Sequence, residues 1–338
     1  MTHRKPEQHR KPGVTLVIAC LLAGFVPQGW AASARTGSST ATGTHAAAMP
    51  SSSASTSAST ADAPVAVIKL VPYRKSVGVH VVVNGKPGFF TFDTAGGHSI
   101  VSPGYAKTIG CTPWGLMVGY QMTGNRLSMQ RCDDLSIMAD GYGLHVPVAG
   151  VLDVAPLAAK DAEPVDGLLA LDAFAGQTIS MDFAGGELVV ESPASAERRI
   201  ANARELPVRL LREAGGMALA VTLEVPTSRG TVRFEIDSGN GGTILVSKPY
   251  ASLFGLDPDA PGPQRGSFAI APGIQASGVM FTPELTIDGN LGMPFLKDWV
   301  VTVDLAEGRM WIQRSQATPP AGMGTPPPLP AEANDASK

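Results

Sequence analysis

Two acidic tripeptides are the residues of this chain best suited to chemistry: Asp93-Thr94-Ala95 and Asp237-Ser238-Gly239. Each closes a run of β-branched and aromatic residues, and each is followed by a hydroxyl residue six positions after its acid, Ser99 and Thr243. One acid at a strand end is usually a turn residue. Two acids at the same point of two matching units suggest a pair of carboxylates facing each other. Such a pair cannot ionise twice cheaply, so it shares a proton and titrates as a unit. One member can then take a proton from water while the other donates to a carbonyl, a scheme needing neither metal nor cofactor.

Elements repeat around the acids. Val79 to Val83, then Asn84-Gly85, then Phe89 to Phe92 reads as a hairpin leading into Asp93; Leu219 to Val225 and Thr231 to Ile236 lead likewise into Asp237. Ser102-Pro103 and Ser247-Lys248-Pro249 are helix starts, followed by short helices ending at Gly110 and Gly255. Later, Gly167-Leu168-Leu169-Ala170 answers to Gly289-Asn290-Leu291-Gly292, and Ile179 to Asp182 answers to Val301 to Asp304. The chain is two copies of one β-rich unit.

The order of these pieces resembles the pepsin-like and retropepsin-like aspartic peptidases, and most of all their bacterial, exported, two-lobed members. The resemblance covers roughly residues 65 to 315 and rests on two acidic motifs, each followed by the counterpart of the family's hydrophobic-hydrophobic-Gly strand that crosses behind it, here Leu168-Leu169-Ala170 and Asn290-Leu291-Gly292. It implies an all-β, two-lobed, pepsin-like (acid protease) fold with pseudo-two-fold duplication and short helices. It also implies an aspartic-type endopeptidase with catalytic Asp93 and Asp237, supported by Thr94, Ser238 and Gly239. Thr94 and Ser238 would tie the two loops together through hydroxyl-to-backbone hydrogen bonds. Substrate would be a peptide or protein, bound extended with apolar residues near the scissile bond, and the protein would be a monomer.

Family enzymes carry a substrate-covering hairpin, the flap, in the first lobe alone. From Asp93 to Gly167 is 74 residues and from Asp237 to Gly289 is 52, and the surplus of 22 falls in Leu116 to Val151. The segment Leu116 to Met129 has the needed shape, with Tyr120 as a flap residue and Thr123-Gly124 near the tip.

The first lobe departs from the pattern twice, with Ala95 and Ala170 where the family has glycine, while Gly239 and Gly292 keep it. If both alanines lie at one spot behind the catalytic loop, they form a compensated pair. The alternative is a catalytically silent peptide-binding protein on the same scaffold. Gly96 and Asn240 follow the tripeptides, so only the Asn240 amide could supply a side-chain donor to the dyad from that position. His98 reads as a solvated loop residue. Asp166, Asp288, Asp182 and Asp304 read as turn residues.

The ends of the chain bear on location. Residues 1–34 read as a signal peptide, with Arg4, Lys5, Arg10 and Lys11 before the apolar run Val14 to Val26. A rival reading makes Val17-Ile18-Ala19-Cys20 a lipoprotein box with a lipid anchor at Cys20. Residues 35–63 are a Ser/Thr/Ala-rich disordered linker, 64–195 the N-terminal lobe with its flap, 196–315 the C-terminal lobe, and 316–338 a disordered Pro-rich tail. The protein is therefore expected to be exported, periplasmic or secreted. There Cys111 and Cys132, the two cysteines left after processing, are expected to form a disulfide rather than a metal site, the alternative being two buried free thiols. Removing residues 1–34 takes away four basic residues and one acid, moving the net charge from −3 to −6, which gives no footprint for nucleic acid. Charged residues make up 16% of the chain against about 25% in average proteins, and 38 Gly and 28 Pro favour short strands and turns.

Overall fold

The computed structural model describes residues 20–22, 62–154 and 163–329. Most of the linker, most of the leader and the end of the tail lie outside the described residues. Of the leader, only Cys20–Leu22 is described, as a strand antiparallel to Trp114–Gln121. No described helix is long and apolar enough to cross a membrane.

Three sheets make up the architecture. In the first lobe, Ser76–Val83 and Lys86–Asp93 form the hairpin whose type is set by Asn84-Gly85, with both turn residues at positive φ (48° and 77°). The strand Gly167–Ala170 runs parallel to Lys86–Asp93, placing Ala170 opposite Asp93, and antiparallel to Ile100–Val101. In the second lobe, Gly289–Leu291 runs parallel to Gly230–Ile236 and antiparallel to Ile244–Val246. The same crossing is thus built twice. Alternation along Gly230–Ile236 sends Val232, Phe234 and Ile236 into the core. Glu235 and Asp237 fall on the other face.

Crossing strands this close leave no room at their first residue. A Cβ at Gly167 would lie 2.3 Å from the Ile100 carbonyl oxygen, and one at Gly289 would lie 2.4 Å from Phe234. Asp166 and Asp288, just before these glycines, accept from the backbone N–H of Phe89 and of Arg233 at 3.0 and 2.9 Å, which is the structural role expected of them. Asp182 and Asp304 likewise hold the Gly185 and Ala306 amides of their turns.

Beneath the lobes lies a six-stranded sheet to which both contribute. Thr178–Asp182 pairs antiparallel with Trp299–Asp304, and Ala66–Lys69 lies at one edge. Ser180 and Thr302, equivalent in the two copies at a separation of 122, meet there by a 2.8 Å hydrogen bond between their hydroxyls. The connector between lobes forms the helix Pro193–Ile200, closed by a reciprocal Ser192/Ser195 capping box.

Helix starts differ between the copies. Ser102 caps the α-helix Pro103–Thr108 by accepting from the Tyr105 N–H, whereas Lys248–Phe254 is a 3-10 helix without a side-chain cap.

The tail departs from expectation. Residues 316–329 are described, and Met323 is buried in the main core. The Gly324 N–H donates to the Lys75 carbonyl oxygen at 2.9 Å, so the tail returns to the first lobe. One large apolar side chain and one backbone bond anchor a stretch whose composition alone suggested disorder.

Candidate active site

The two acidic loops meet at the junction of the lobes. Thr94 N–H donates to Ser238 Oγ at 3.0 Å, and Ser238 N–H to Thr94 Oγ1 at 2.9 Å. Each hydroxyl then donates onward across the junction, Thr94 to the Ile236 carbonyl and Ser238 to the Phe92 carbonyl, both at 2.8 Å. Four reciprocal bonds between groups that are fully buried fix the loops in register, and losing one would strand a buried donor or acceptor at about 1–3 kcal/mol.

That register sets Asp93 and Asp237 side by side, near enough for each to act on the other's proton affinity. Both are buried, at 3% and 0% exposure. Gly239 is indispensable to the arrangement, because a Cβ there would lie 2.4 Å from Asp93 Oδ2. Ala95 N–H donates to Asp93 Oδ1 at 2.9 Å, and Asn240 N–H to Asp237 Oδ1 at 2.9 Å.

The pair is not symmetric. Asn290, the first side chain of the second crossing strand after its glycine, donates from Nδ2 to Asp237 Oδ2 at 2.7 Å. Its own Oδ1 is held by Asn240 Nδ2 at 2.8 Å, and Asn240 is locked by Thr243 through bonds of 2.8 to 3.1 Å. The Asn240 amide therefore serves the dyad only through Asn290, not directly as its position suggested. Leu168 stands at the matching place in the first lobe and donates nothing.

Burial raises both carboxyls, and the extra donors separate them. Asp93 is pushed well above the usual carboxylate range by desolvation and then by the neighbouring Asp237 charge. Desolvation raises Asp237 as well, to about 6, against the opposing Asn290 and Asn240 bonds. The proton of the pair belongs on Asp93, and the negative charge on Asp237.

The two first-lobe alanines do not meet, contrary to expectation. Ala95 packs with Met122 and Leu245, while Ala170 packs with Ile100 and Leu168. The neighbour of the Ala170 methyl is Gly96 instead, whose Cβ would fall 3.2 Å from it. Ala95 and Ala170 therefore form no compensated pair. His98 is also not solvated: at 1% exposure its Nδ1 lies 3.5 Å from Asp172, whose carboxyl is held by the Ser99 hydroxyl at 2.6 Å and the Ser99 N–H at 2.8 Å.

A hairpin of Trp114–Gln121 and Arg126–Ala139 stands over the first lobe, with Met117 opposite Met129. Cys111 and Cys132 are joined at its base by a disulfide with Cα atoms 6.1 Å apart. Thr123 and Gly124 lie in the turn, Gly124 with φ of 81°. The tip reaches the other lobe: the Met122 carbonyl accepts from Thr286 N–H at 2.7 Å and Thr286 Oγ1 at 3.1 Å. Met122, fully buried, packs on Ala95, whereas Tyr120 is 38% exposed. The sequence pointed to the tyrosine, but the side chain set against the Asp93-Thr94-Ala95 loop belongs to its second neighbour.

No protein-family model and no curated protein matches the chain. Among solved structures it is similar to basic 7S globulin from soybean, at 11% identity and a TM-score of 0.49, over 75% of this chain and 96% of that one. It is also similar to conglutin gamma, a basic 7S globulin from lupine seeds, at 12% identity and a TM-score of 0.48, over 74% and 94%. Its duplicated lobes, shared basal sheet and doubled strand crossing are those of an all-β, two-lobed, pepsin-like fold. The disulfide fits an oxidising compartment outside the cytoplasm.

Proposed function

We propose that the protein is an aspartic endopeptidase acting outside the cytoplasm, in the periplasm or after secretion. The observation that carries this reading is the buried Asp93/Asp237 pair, with its donors weighted toward Asp237. Asp237, held ionised, takes a proton from a water placed between the carboxyls. Asp93, protonated, donates to the oxygen of the scissile carbonyl as the water attacks. The Thr94/Ser238 bonds keep the two carboxyls at fixed separation, and the Cys111–Cys132 hairpin closes over an extended peptide added alongside it. Digestion of a peptide mixture between pH 4 and 7 tests the reading. Cleavage blocked by a statine inhibitor, and reduced at least about 100-fold in Asp93→Asn and Asp237→Asn, supports it; no cleavage by the wild-type protein overturns it.

One observation favours a second reading, a peptide-binding protein without hydrolysis: Met122 and Ala95 occupy the space beside the dyad, and both acids are almost fully covered. Tight binding of an extended peptide that is never cut would select it.

A further inference from the structure

Glu235 is the one carboxylate among the described residues that is buried with neither oxygen hydrogen-bonded. Its exposure is 1%. Buried carboxyls are ordinarily satisfied by protein donors, so an orphan calls for a physical reason. Its place supplies one. Glu235 stands two residues before Asp237 on the same strand, and side chains two apart project from one face. That face carries Asp237 and turns away from Val232, Phe234 and Ile236, which fill the core. Opposite Glu235 in register are Thr222 on one side and Asn290, the donor to Asp237, on the other. Along the neighbouring strand the same face continues through the small residues Ala220 and Ala218.

The charges around it are all of one sign. Burial first, and then the neighbouring carboxyls of Asp237, Asp93 and Glu213, raise the proton affinity of Glu235 well above that of an ordinary carboxylate. Among the described residues no three metal-binding side chains are grouped to hold an ion. What such a place lacks is a cation, and one on an apolar stem suits a face whose neighbouring residues are Ala218 and Ala220.

We propose that Glu235 lines a subsite next to the scissile bond and selects substrates carrying lysine or arginine there. The inference rests on the peptide-groove reading above and departs from the apolar preference implied by the resemblance. In the free protein the neutral carboxyl tolerates burial. When the basic side chain enters, Glu235 releases its proton to solvent and pairs with the cation, and a buried pair of this kind loses heavily if either partner is removed.

The test separates this inference from hydrolysis. Peptides with a reduced, uncleavable central bond are prepared with lysine, arginine, norleucine or glutamate at each position flanking that bond, and their binding is measured by calorimetry at pH 6. At one flanking position the lysine or arginine peptide is expected to bind at least 10-fold tighter than the norleucine peptide. In Glu235→Gln, of nearly the same shape, that ratio should fall to near one. Equal or weaker binding of the basic peptides to the wild-type protein, or a ratio unchanged in Glu235→Gln, overturns the inference, as does the absence of any binding. Because the wild-type comparison needs no variant, a Glu235→Gln protein that fails to fold does not rescue it. Basic preference in binding without cleavage of ordinary peptides would sink the endopeptidase reading alone, and cleavage without basic preference would sink this one alone.

Discussion

A Cβ at Gly96 would lie 3.2 Å from the Ala170 Cβ, and in the second lobe a Cβ at Gly292 would lie 2.7 Å from Asn240 Cγ. Gly96 and Asn240 each stand three residues past their acid, while Ala170 ends one crossing strand and Gly292 directly follows the other. Both lobes have one space between loop and strand and fill it from opposite sides, the first with the strand's methyl and the second with the loop's amide.

Gly96→Ser should therefore crowd both Ala170 and Leu168, whose Cδ2 lies 2.6 Å from the point where the new Cβ would fall. Overpacking of this kind costs about 1–3 kcal/mol. Adding Ala170→Gly should restore much of that loss, giving a coupling of about 0.5 kcal/mol or more in denaturant melts. Strict additivity would show that the two sites do not share the space.

Asn290→Leu removes the side-chain donor from Asp237 and leaves its volume largely filled. Asp237 would then lose a bond that lowers its proton affinity, so its value should rise above about 6. Activity that depends on ionised Asp237 disappears as pH falls through that value. The acidic limb of the kcat/KM profile should accordingly move to higher pH, with a smaller change at pH 7. An unmoved limb in a folded, active variant would remove Asn290 from the dyad's titration.

Stability should fall as the solution is made less acidic. Asp237 holds its proton to about 6 when folded against 3.8 as a free side chain, and Asp93 and Glu235 shift in the same upward direction. In that interval the folded chain binds more protons than the unfolded one, so the contribution is complete below 3.8 and is lost as pH rises through the folded values. Thermal melts should give a Tm several degrees higher at pH 4.5 than at pH 7.5, with a shallower slope in Glu235→Gln. A Tm that climbs steadily over this range would contradict the shifts.

Thr286→Val deletes the hydroxyl that holds the Met122 carbonyl and keeps the backbone donor. Losing one of two bonds at a partly buried contact should cost about 1 kcal/mol of closure, hence about fivefold more open hairpin. Hydrogen exchange at Gln121 to Asn125 should quicken correspondingly while the core strands hold their protection. Unchanged exchange there would mean that the contact does not keep the hairpin closed.

Legibility in the sequence followed repetition. Asp93 with Asp237, and Thr94 with Ser238, stood out because each occurs twice in matching surroundings, and the structure brings those four together. Asn290 and Glu235 have no counterpart in the other copy, where Leu168 and Thr91 stand, so repetition was silent about them. Glu235 also follows Arg233 in an alternating strand, a pattern with nothing to mark it as a buried acid, and its burial comes to light only in the structure. Met122 and Met323 were missed because a single apolar residue in a turn or a Pro-rich tail has no periodicity to mark it.

The contacts at the heart of the molecule join residues to their own counterparts: Thr94 to Ser238 above, Ser180 to Thr302 below. Contacts of like with like are what a self-complementary interface provides, so one ancestral copy of the unit could have closed against an identical partner with the same bonds. Two identical chains, however, must present the same residue at both equivalent places. Joining the copies in one polypeptide released that constraint, and only after fusion could one half carry Leu168 and Ala170 while the other carries Asn290 and Gly292. The unequal hydrogen bonding of the two acids is thus a property that covalent linkage made available.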